Sequence, residues 1–183
     1  MTNAGGPGII ATDAIENSDL EMAEFTRETV AALRDKLPAT ANVYNPIDVI
    51  GDAKADRYRV ALDSALNDPH VDGVIVILTP QTSTEPLPTA KALAEAAEKT
   101  PKPVLACFLG GNTVEPAARY LMEHRVPTFP FPERAVAAMD ALYRHYRWSR
   151  KTASEPPVFD VDREKVRELF ELLNGYRSSG RST

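Results

Sequence analysis

The chain has 183 residues, a formal net charge of −5, one cysteine and three histidines. Its length suits one compact domain with a short appendage. The longest apolar runs, residues 74–78 and 104–109, are far below the ~20 residues that span a bilayer, so no transmembrane segment is expected. The amino terminus has no signal-peptide pattern, which predicts a cytoplasmic protein, and the acidic balance argues against a nucleic-acid partner.

The first third of the chain predicts a loop, two helices and a weak strand. Three glycines lie in residues 3–8, and Pro7 suits the first position of a helix. A second helix is predicted over residues 26–37, with Thr26 as its N-cap. Residues 42–49 are typical of a weaker strand that Asn45 and Pro46 interrupt, and they precede a helix with Tyr58 on its apolar face.

The middle of the chain predicts two βα units. Residues 73–78 and 103–109 are continuously apolar, as strands covered on both faces are. Helical patterns follow over residues 89–99 and 113–123. A brief edge strand is expected within residues 127–131. The helix after it covers residues 133–148, and its predicted buried side chains are Val136, Met139, Leu142, Tyr143 and Tyr146.

This alternation predicts an α/β fold with a flavodoxin-like, doubly wound parallel sheet over residues 1–150. Residues 151–183 are predicted as a linker, an amphipathic helix over 162–174 ended by Gly175, and a disordered tail. The chain opens inside its first loop, so we expect the first strand to be missing. The strands near Val43 and Val74 should then adjoin or leave a gap of two strand spacings, ~10 Å. A strand within residues 1–5 would contradict this expectation.

Glycines in the first loop suggest an anion site. Gly5, Gly6 and Gly8 allow close approach of the backbone, and the free amides of a helix start attract anions, phosphate being the usual one. A tight turn without a ligand explains the same glycines equally well.

Further candidates follow the other predicted strands, where open α/β sheets place their ligands. Asp48 and Asp52 are candidate metal ligands or bases, although turn-forming roles are favoured for both. His70, His124 and His145 are predicted to be structural or solvated, and Cys107 to be a buried thiol. We expect no catalytic residue and no metal site in this chain. The remaining candidates for the edge of an active site are Asn3, Asn45, Gln81, Gly110, Gly111 and Glu133.

Six ordered motifs carry a resemblance to a known family. They begin at Thr2, Leu37, Asn45, Asp72, Lys102 and Pro132, and their most distinctive members are Thr-Asn-Ala-Gly-Gly-Pro-Gly-Ile and Asn-Pro-Ile-Asp-Val-Ile-Gly-Asp. Residues 2–150 resemble the flavodoxin-like domain of the NDP-forming acyl-CoA synthetases, within the succinyl-CoA synthetase superfamily. Residues 154–181 resemble the segment that leads into an ATP-grasp domain in fused members.

The resemblance implies a three-step reaction in which acyl-CoA, ADP and phosphate give a carboxylic acid, ATP and CoA. It implies partners too: a CoA-binding domain, a domain whose histidine is phosphorylated, and an ATP-grasp domain. In that family the phosphohistidine rests between two helix starts, and the one at Gly5, Gly6 and Gly8 would be this chain's contribution. CoA, ADP or ATP, phosphate and Mg²⁺ are implied for the whole enzyme and none for this chain, which we expect to be inactive alone.

The sequence leaves two other functions open. It also leaves open whether the chain forms a homo-oligomer. The same set of domains occurs fused to protein acetyltransferases, where the synthetase-like part senses a ligand. A free-standing flavodoxin-like nucleotide or flavin binder is the third candidate.

Overall fold

The computed structural model of the chain describes residues 1–151 and 162–179, with residues 174–179 described by their backbone only. The chain divides into two units, Met1–Arg150 and Lys151–Thr183. Each is considered separately.

A parallel sheet forms the centre of the first unit. Its strands are β1 (Val74–Leu78), β2 (Val104–Phe108) and β3 (Thr128–Phe129), in the order β1-β2-β3. β1 and β2 pair in parallel along their whole length. Their continuous apolar sequence fits a sheet that helices cover on both faces, which confirms the predicted α/β fold. β3 has only two residues, because the neighbouring prolines cannot donate to a ladder.

Met1 and Thr2 occupy part of the position of the first strand, which we expected to be missing. Met1 N donates to Ile75 O and Ile77 N donates to Met1 O, both at 2.9 Å. On the other side, Thr2 forms a parallel bridge with Asp48. Residues 47–49 and β1 therefore do not adjoin, which is the second of the two expected arrangements, but Met1 and Thr2 partly fill the place between them. The lateral order is residues 47–49, residues 1–2, β1, β2, β3, which is the flavodoxin-like order 2-1-3-4-5.

The predicted weak strand over residues 42–49, interrupted at Asn45 and Pro46, is reduced in the structure to single bridges. Only isolated bridges form there, Thr2 with Asp48 and Asn42 with Asp48. The physical reason is Pro46, which lacks a donor, and the side chain of Asn42, which turns the segment by donating to Pro46 O at 2.9 Å.

Six helices and one 3-10 turn surround the sheet. They are α1 (Gly5–Glu16), α2 (Arg27–Lys36), α3 (Ala55–Asn67), α4 (Pro86–Ala97), the 3-10 turn Gly111–Thr113, α5 (Glu115–Glu123) and α6 (Pro132–Ser149). Thr26 caps α2 as predicted, since its Oγ1 accepts from Thr29 N at 3.2 Å. Three helices begin earlier than predicted. α1 begins at Gly5 and not at Pro7, α4 at Pro86 and not at Thr89, and α6 at Pro132 and not at Glu133. At α4 and α6 a proline at the first position explains the earlier start.

The helices form two layers. The larger core joins the sheet to α3, α4 and α5, with Tyr58, Leu62, Leu93 and Leu121 fully buried. A smaller core joins it to α1 and α6, through Ala11, Ile77, Cys107, Ala135 and Val136.

The carboxyl-terminal half of α6 is more exposed than its sequence predicts. Val136 and Met139 are buried, but Leu142, Tyr143 and Tyr146 are exposed by 49%, 37% and 54%. Helical periodicity identifies the apolar face correctly, but these three side chains line an open groove instead of packing in the core. The apolar face of α6 therefore extends beyond the core.

The second unit contains α7 (Arg163–Ser179). The predicted end of this helix at Gly175 is wrong, because the helix continues through it; a glycine inside a helix costs only about 1 kcal/mol. Residues 152–161, most of the predicted linker, and 180–183, the end of the predicted tail, lie outside the described residues. Within the described ranges, no helix combines the length and the apolar character that crossing a membrane requires.

Candidate functional site

Four loops meet at the carboxyl edge of the sheet, and the side chain of Asn3 joins two of them. Asn3 is 3% exposed. Its Nδ2 donates to Thr79 O at 2.8 Å, while its Oδ1 accepts from Thr79 N at 2.9 Å and from Thr79 Oγ1 at 3.0 Å. Asn3 therefore fixes the first loop to the end of β1, and its polar atoms are turned away from solvent.

The start of α1 presents free backbone amides. The helix begins at Gly5 without a side-chain cap, so the N–H groups of Gly5 and Gly6 have no partner within the described residues. Both glycines are exposed, and a Cβ added at either would meet nothing within 4 Å. The positive end of the helix dipole lies at the same point. The arrangement is suited to an anion.

Gly8 differs from the two glycines before it. It is buried, and its N–H donates to Ala4 O at 3.3 Å. A Cβ added at Gly8 would lie 3.1 Å from Thr2 Cγ2. Close packing therefore explains Gly8, and its N–H, unlike those of Gly5 and Gly6, already has a partner among the described residues.

The loop after residue 49 carries the predicted aspartates and one cation that the sequence did not indicate. Asp48 Oδ1 accepts from Ile50 N at 2.8 Å, which is a turn-forming role. Asp52 pairs with Arg57 at 2.6 Å, and this hydrogen bond lowers the pKa of Asp52. Arg57 Nη1 also donates to Val49 O at 2.9 Å. Only the spacing of Asp52 and Arg57 across the start of α3 could have suggested this contact.

The loops after β1 and β2 pack closely on each other. Gly110 has φ +143°, and a Cβ there would lie 2.5 Å from Pro80 Cγ. Gly111 has φ +55° and open space around it. Gln81 is exposed, and its Cγ lies 3.7 Å from the position of a Cβ on Gly51. The structure thus brings the Gln81 and Gly110 loops to the same edge as Asn3.

Glu133 lies exposed in the first turn of α6, beyond β3. Its charge acts on Cys107, which is fully buried in β2. Burial raises the pKa of the Cys107 thiol to about 12, and the negative charge of Glu133 contributes in the same direction. The thiol is therefore protonated at neutral pH and is not a nucleophile, as the sequence predicted.

Asn45 lies apart from the other candidates. It precedes residues 47–49, on the amino-terminal side of the sheet, and its Nδ2 donates to Ala23 O at 3.1 Å. The histidines are also remote from the edge: His70 Nδ1 contacts Glu24 O and His124 stacks on Tyr120. Among the described residues, no group of three His, Cys, Asp or Glu side chains could hold a metal ion.

Comparison with known proteins gives one consistent family. Residues 1–156 match the family model described as Ligase-CoA domain. The ADP-forming acetate–CoA ligase I of Archaeoglobus fulgidus is 37% identical over 174 residues, 94% of this chain and 24% of that protein. The alpha subunit of ADP-forming acetate–CoA ligase II of Pyrococcus furiosus is 38% identical over 146 residues, 78% of this chain and 32% of the subunit. The chain thus spans about a quarter to a third of these curated relatives.

Solved structures agree. A crystal structure of a Pyrococcus horikoshii OT3 protein matches 80% of this chain, and 35% of its own, with a TM-score of 0.77 and 34% identity. The dinucleotide-forming acetyl-coenzyme A synthetase 1 of Ca. Korarchaeum cryptofilum, in complex with phosphate and ADP, matches 83% of this chain and 34% of its own. Its TM-score is 0.75 and its identity 31%.

Proposed function

The chain belongs to the Ligase-CoA domain family, and we propose that it serves as one domain of an ADP-forming acyl-CoA ligase of the acetate–CoA ligase type. The complete enzyme would convert acyl-CoA, ADP and phosphate into a carboxylic acid, ATP and CoA. The names of the curated relatives support this reaction over a regulatory role or a free-standing cofactor binder.

The proposed task of this domain is electrostatic. The amides of Gly5 and Gly6 would hold a phosphoryl group carried by a histidine of a neighbouring domain. The observation that carries this proposal is the uncapped, exposed start of α1, where two N–H groups have no partner within the described residues. Fixed amides stabilise a transferring phosphoryl group without accepting or donating a proton. Such a task requires no nucleophile at this edge.

The surrounding loops would then position α1 and contact the incoming domain. Asn3 holds the first loop against β1, and its buried polar atoms suit that supporting role. Gln81, Gly111 and Glu133 are exposed at the same edge and would face the partner. Asn45 has no part in this proposal.

The binding of CoA, ADP and Mg²⁺ is proposed for other domains of the enzyme. The supporting fact is length, since curated relatives of this activity are about three to four times longer than the matched region. We expect this chain to be inactive alone and to act only with CoA-binding, phosphohistidine and ATP-grasp domains.

The proposal is tested by removing one amide without disturbing the helix. Gly5→Pro deletes the Gly5 N–H at the first helical position, where proline is tolerated. Ala4 has φ −146° and ψ 123°, a conformation that a following proline accepts. Gly5→Ala is the matched control, because it keeps the N–H and its Cβ enters open space.

The measurement is phosphohistidine formation after this chain is added to the CoA-binding, phosphohistidine and ATP-grasp domains. We expect Gly5→Pro to slow phosphorylation by about tenfold or more, as removal of one charge-stabilising donor does, and Gly5→Ala to leave it near wild type. Equal rates for the two variants would refute the role of the amide. Phosphorylation that does not depend on the chain would refute the whole proposal.

A further inference from the structure

Ile50 has a backbone conformation that its own side chain makes unfavourable. Its φ is +70°, in the left-handed region where a β-branched residue is an outlier. Among the described residues, the other non-glycine residue with a positive φ is Arg125, at +62°. Arg125 follows the end of α5, where Val126 N donates back to Leu121 O at 2.9 Å, and a left-handed residue is usual in that arrangement. Ile50 ends no helix, so its conformation needs another explanation.

The chain keeps a side chain at this position although a glycine is next to it. Gly51 could supply a left-handed residue at no steric cost, yet the positive φ lies on Ile50. The side chain of Ile50 is half-buried and belongs to neither of the two cores that the described residues form. Core packing therefore does not explain it. Strained residues that the surrounding structure holds in place cluster at functional sites, which points to a use for this side chain at the surface.

Local hydrogen bonds hold the backbone on both sides of Ile50. Asp48 Oδ1 accepts from Ile50 N at 2.8 Å, and Ile50 O accepts from Ala53 N at 3.0 Å. The loop of residues 49–52 is thus fixed at the two polar groups of the strained residue itself.

Arg57 joins the two ends of this loop. It lies in the first turn of α3, and its Nη1 donates to Val49 O at 2.9 Å and to Asp52 Oδ1 at 2.6 Å. The Arg57 side chain is 21% exposed and that of Asp52 is 67% exposed. Hydrogen bonds from a charged group are stronger than those between neutral groups, so Arg57 makes the strongest links across Ile50.

The loop of residues 49–52 borders the edge at which α1 begins. A Cβ added at Gly51 would lie 3.8 Å from Asn3 O and 3.7 Å from Gln81 Cγ. Asn3 is two residues before Gly5, the first residue of α1. The strained loop and the exposed amides of α1 therefore belong to the same edge of the sheet.

We propose that Arg57 is a positioning residue that holds Ile50 in its strained conformation, so that the Ile50 side chain forms a fixed apolar wall beside the start of α1. This inference rests on the proposed function, in which a phosphorylated histidine of a neighbouring domain approaches that helix start. A fixed wall limits the orientations of the incoming segment, and a loop that is already ordered costs no entropy to order on its arrival. Arg57 acts through Ile50 and contacts no phosphoryl group itself.

The test compares variants that release the strain with variants that do not. Arg57→Ala removes the link, and Ile50→Gly removes the strain, because glycine adopts a positive φ freely. Ile50→Ala is the matched control for Ile50→Gly, since it also truncates the side chain but keeps a Cβ in the left-handed region. Arg59→Ala is the matched control for Arg57→Ala, because Arg59 lies on the same helix and pairs with Glu95 at 2.5 Å.

Amide hydrogen exchange at Ala53 is the first measurement, because its N–H donates to Ile50 O. We expect Arg57→Ala to speed this exchange by about tenfold or more, as release of a strained residue would. Arg59→Ala should change it by less than about threefold, as loss of an exposed ion pair does. Adding Ile50→Gly to Arg57→Ala should return the rate to within about threefold of wild type, whereas adding Ile50→Ala should not.

Exchange at Ala106, in β2, separates this local effect from general destabilisation, which would speed both amides equally. Three results would overturn the positioning role of Arg57. They are an Ala53 amide insensitive to Arg57→Ala, equal acceleration at Ala53 and Ala106, and a rescue by Ile50→Ala as complete as the rescue by Ile50→Gly.

Phosphohistidine formation is the second measurement, with this chain added to the CoA-binding, phosphohistidine and ATP-grasp domains. We expect Arg57→Ala to slow it by about fivefold or more and Arg59→Ala to leave it near wild type. A normal rate for Arg57→Ala beside a slow rate for Gly5→Pro would overturn the role of Arg57 and leave the proposed function intact. A rate that does not depend on the chain at all would refute the proposed function and, with it, the positioning role.

Discussion

Asn3 is a polar side chain in an apolar setting, and its hydrogen bonds explain why it is tolerated there. Its amide group is matched to Thr79 at three points, so burial leaves none of its polar atoms without a partner. The sequence placed Asn3 at the edge of an active site. The structure places it beneath the carboxyl edge of the sheet, as the link between the first loop and β1.

Asn3→Ala should therefore destabilise the first unit by about 1–3 kcal/mol, because the N–H and C=O of the half-buried Thr79 both lose their partner. Asn17→Ala is the matched control, since Asn17 Nδ2 donates to Asp13 O at the exposed end of α1. We expect this control to change stability by less than about 0.5 kcal/mol. Urea unfolding of both variants measures the difference, and similar losses would contradict the role of Asn3.

Gly110 and Gly111 offer a second comparison at the scale of single residues. Gly110→Ala combines φ +143° with a Cβ placed 2.5 Å from Pro80 Cγ, whereas Gly111→Ala meets open space at φ +55°. We expect a loss of about 2–3 kcal/mol for the first and about 1 kcal/mol for the second. Chemical denaturation gives both values. A Gly110→Ala protein as stable as Gly111→Ala would show that the two loops do not depend on this contact.

At the scale of elements, Asp68 connects α2 with the turn after α3. It is 1% exposed, and its Oδ2 accepts from Thr26 N at 2.9 Å, at the N-cap of α2. Its Oδ1 accepts from His70 N at 2.8 Å. Burial alone would raise the pKa of Asp68, but hydrogen bonds from Thr29, His70 and Thr26 outweigh it and lower the pKa from 3.8 to about 2.

This shift makes the stability of the first unit depend on pH. A carboxyl whose pKa is lower in the folded state stabilises the fold above its unfolded pKa, and that stabilisation is lost as pH falls from 3.8 towards 2. Asp68 should contribute about 2 kcal/mol at pH 7. Asp68→Asn should therefore be less stable than wild type at pH 7, and the difference should shrink below pH 4.

Urea unfolding at pH 7 and pH 3 measures this contribution, with Asp35→Asn on the exposed surface of α2 as the control. A stability difference between Asp68→Asn and wild type that stays constant between the two pH values would contradict the assignment. So would an equal loss in the Asp35→Asn protein.

The elements themselves were predictable to different degrees. β1 and β2 are determined by continuous apolar runs, and their bounds agree with the prediction to within one residue. The helical period around Tyr58 predicted α3 without fixing its bounds. Residues 42–49 were not predictable in this way, because Asn42 and Pro46 favour local turns over a ladder. The start of α1 at Gly5 was not predicted, because glycines add nothing to an apolar helical pattern. The position of Met1 and Thr2 in the sheet decides where this helix begins.

At the scale of the whole molecule, the two units differ in how they are stabilised. The first has both cores and all three strands, whereas the residues of α7 with described side chains, 163–173, are exposed within their own unit. We propose that residues 1–150 form an independent folding domain.

A protein of residues 1–150 should then unfold cooperatively, with a Tm within about 2 °C of the full chain, since no core residue of the first unit is removed. Calorimetry of both forms provides the comparison. A broad transition, or a Tm lower by more than 5 °C, would mean that residues 151–183 stabilise the first unit.

The sequence by itself determined the α/β class, the strands β1 and β2, the family motifs and the position of a glycine-rich loop before a helix. These features depend on the spacing of apolar residues and on residue types, and both are visible in the sequence itself. Tertiary structure decided the setting of each residue at this edge. The N–H groups of Gly5 and Gly6 have no partner in the part of the chain that the structure describes, while Gly8 is packed on Thr2. Asn3 is a buried link, and Asn45 lies on the other side of the sheet. The reason is that hydrogen bonding and burial depend on neighbours distant in sequence, such as Thr79, and no local pattern specifies them.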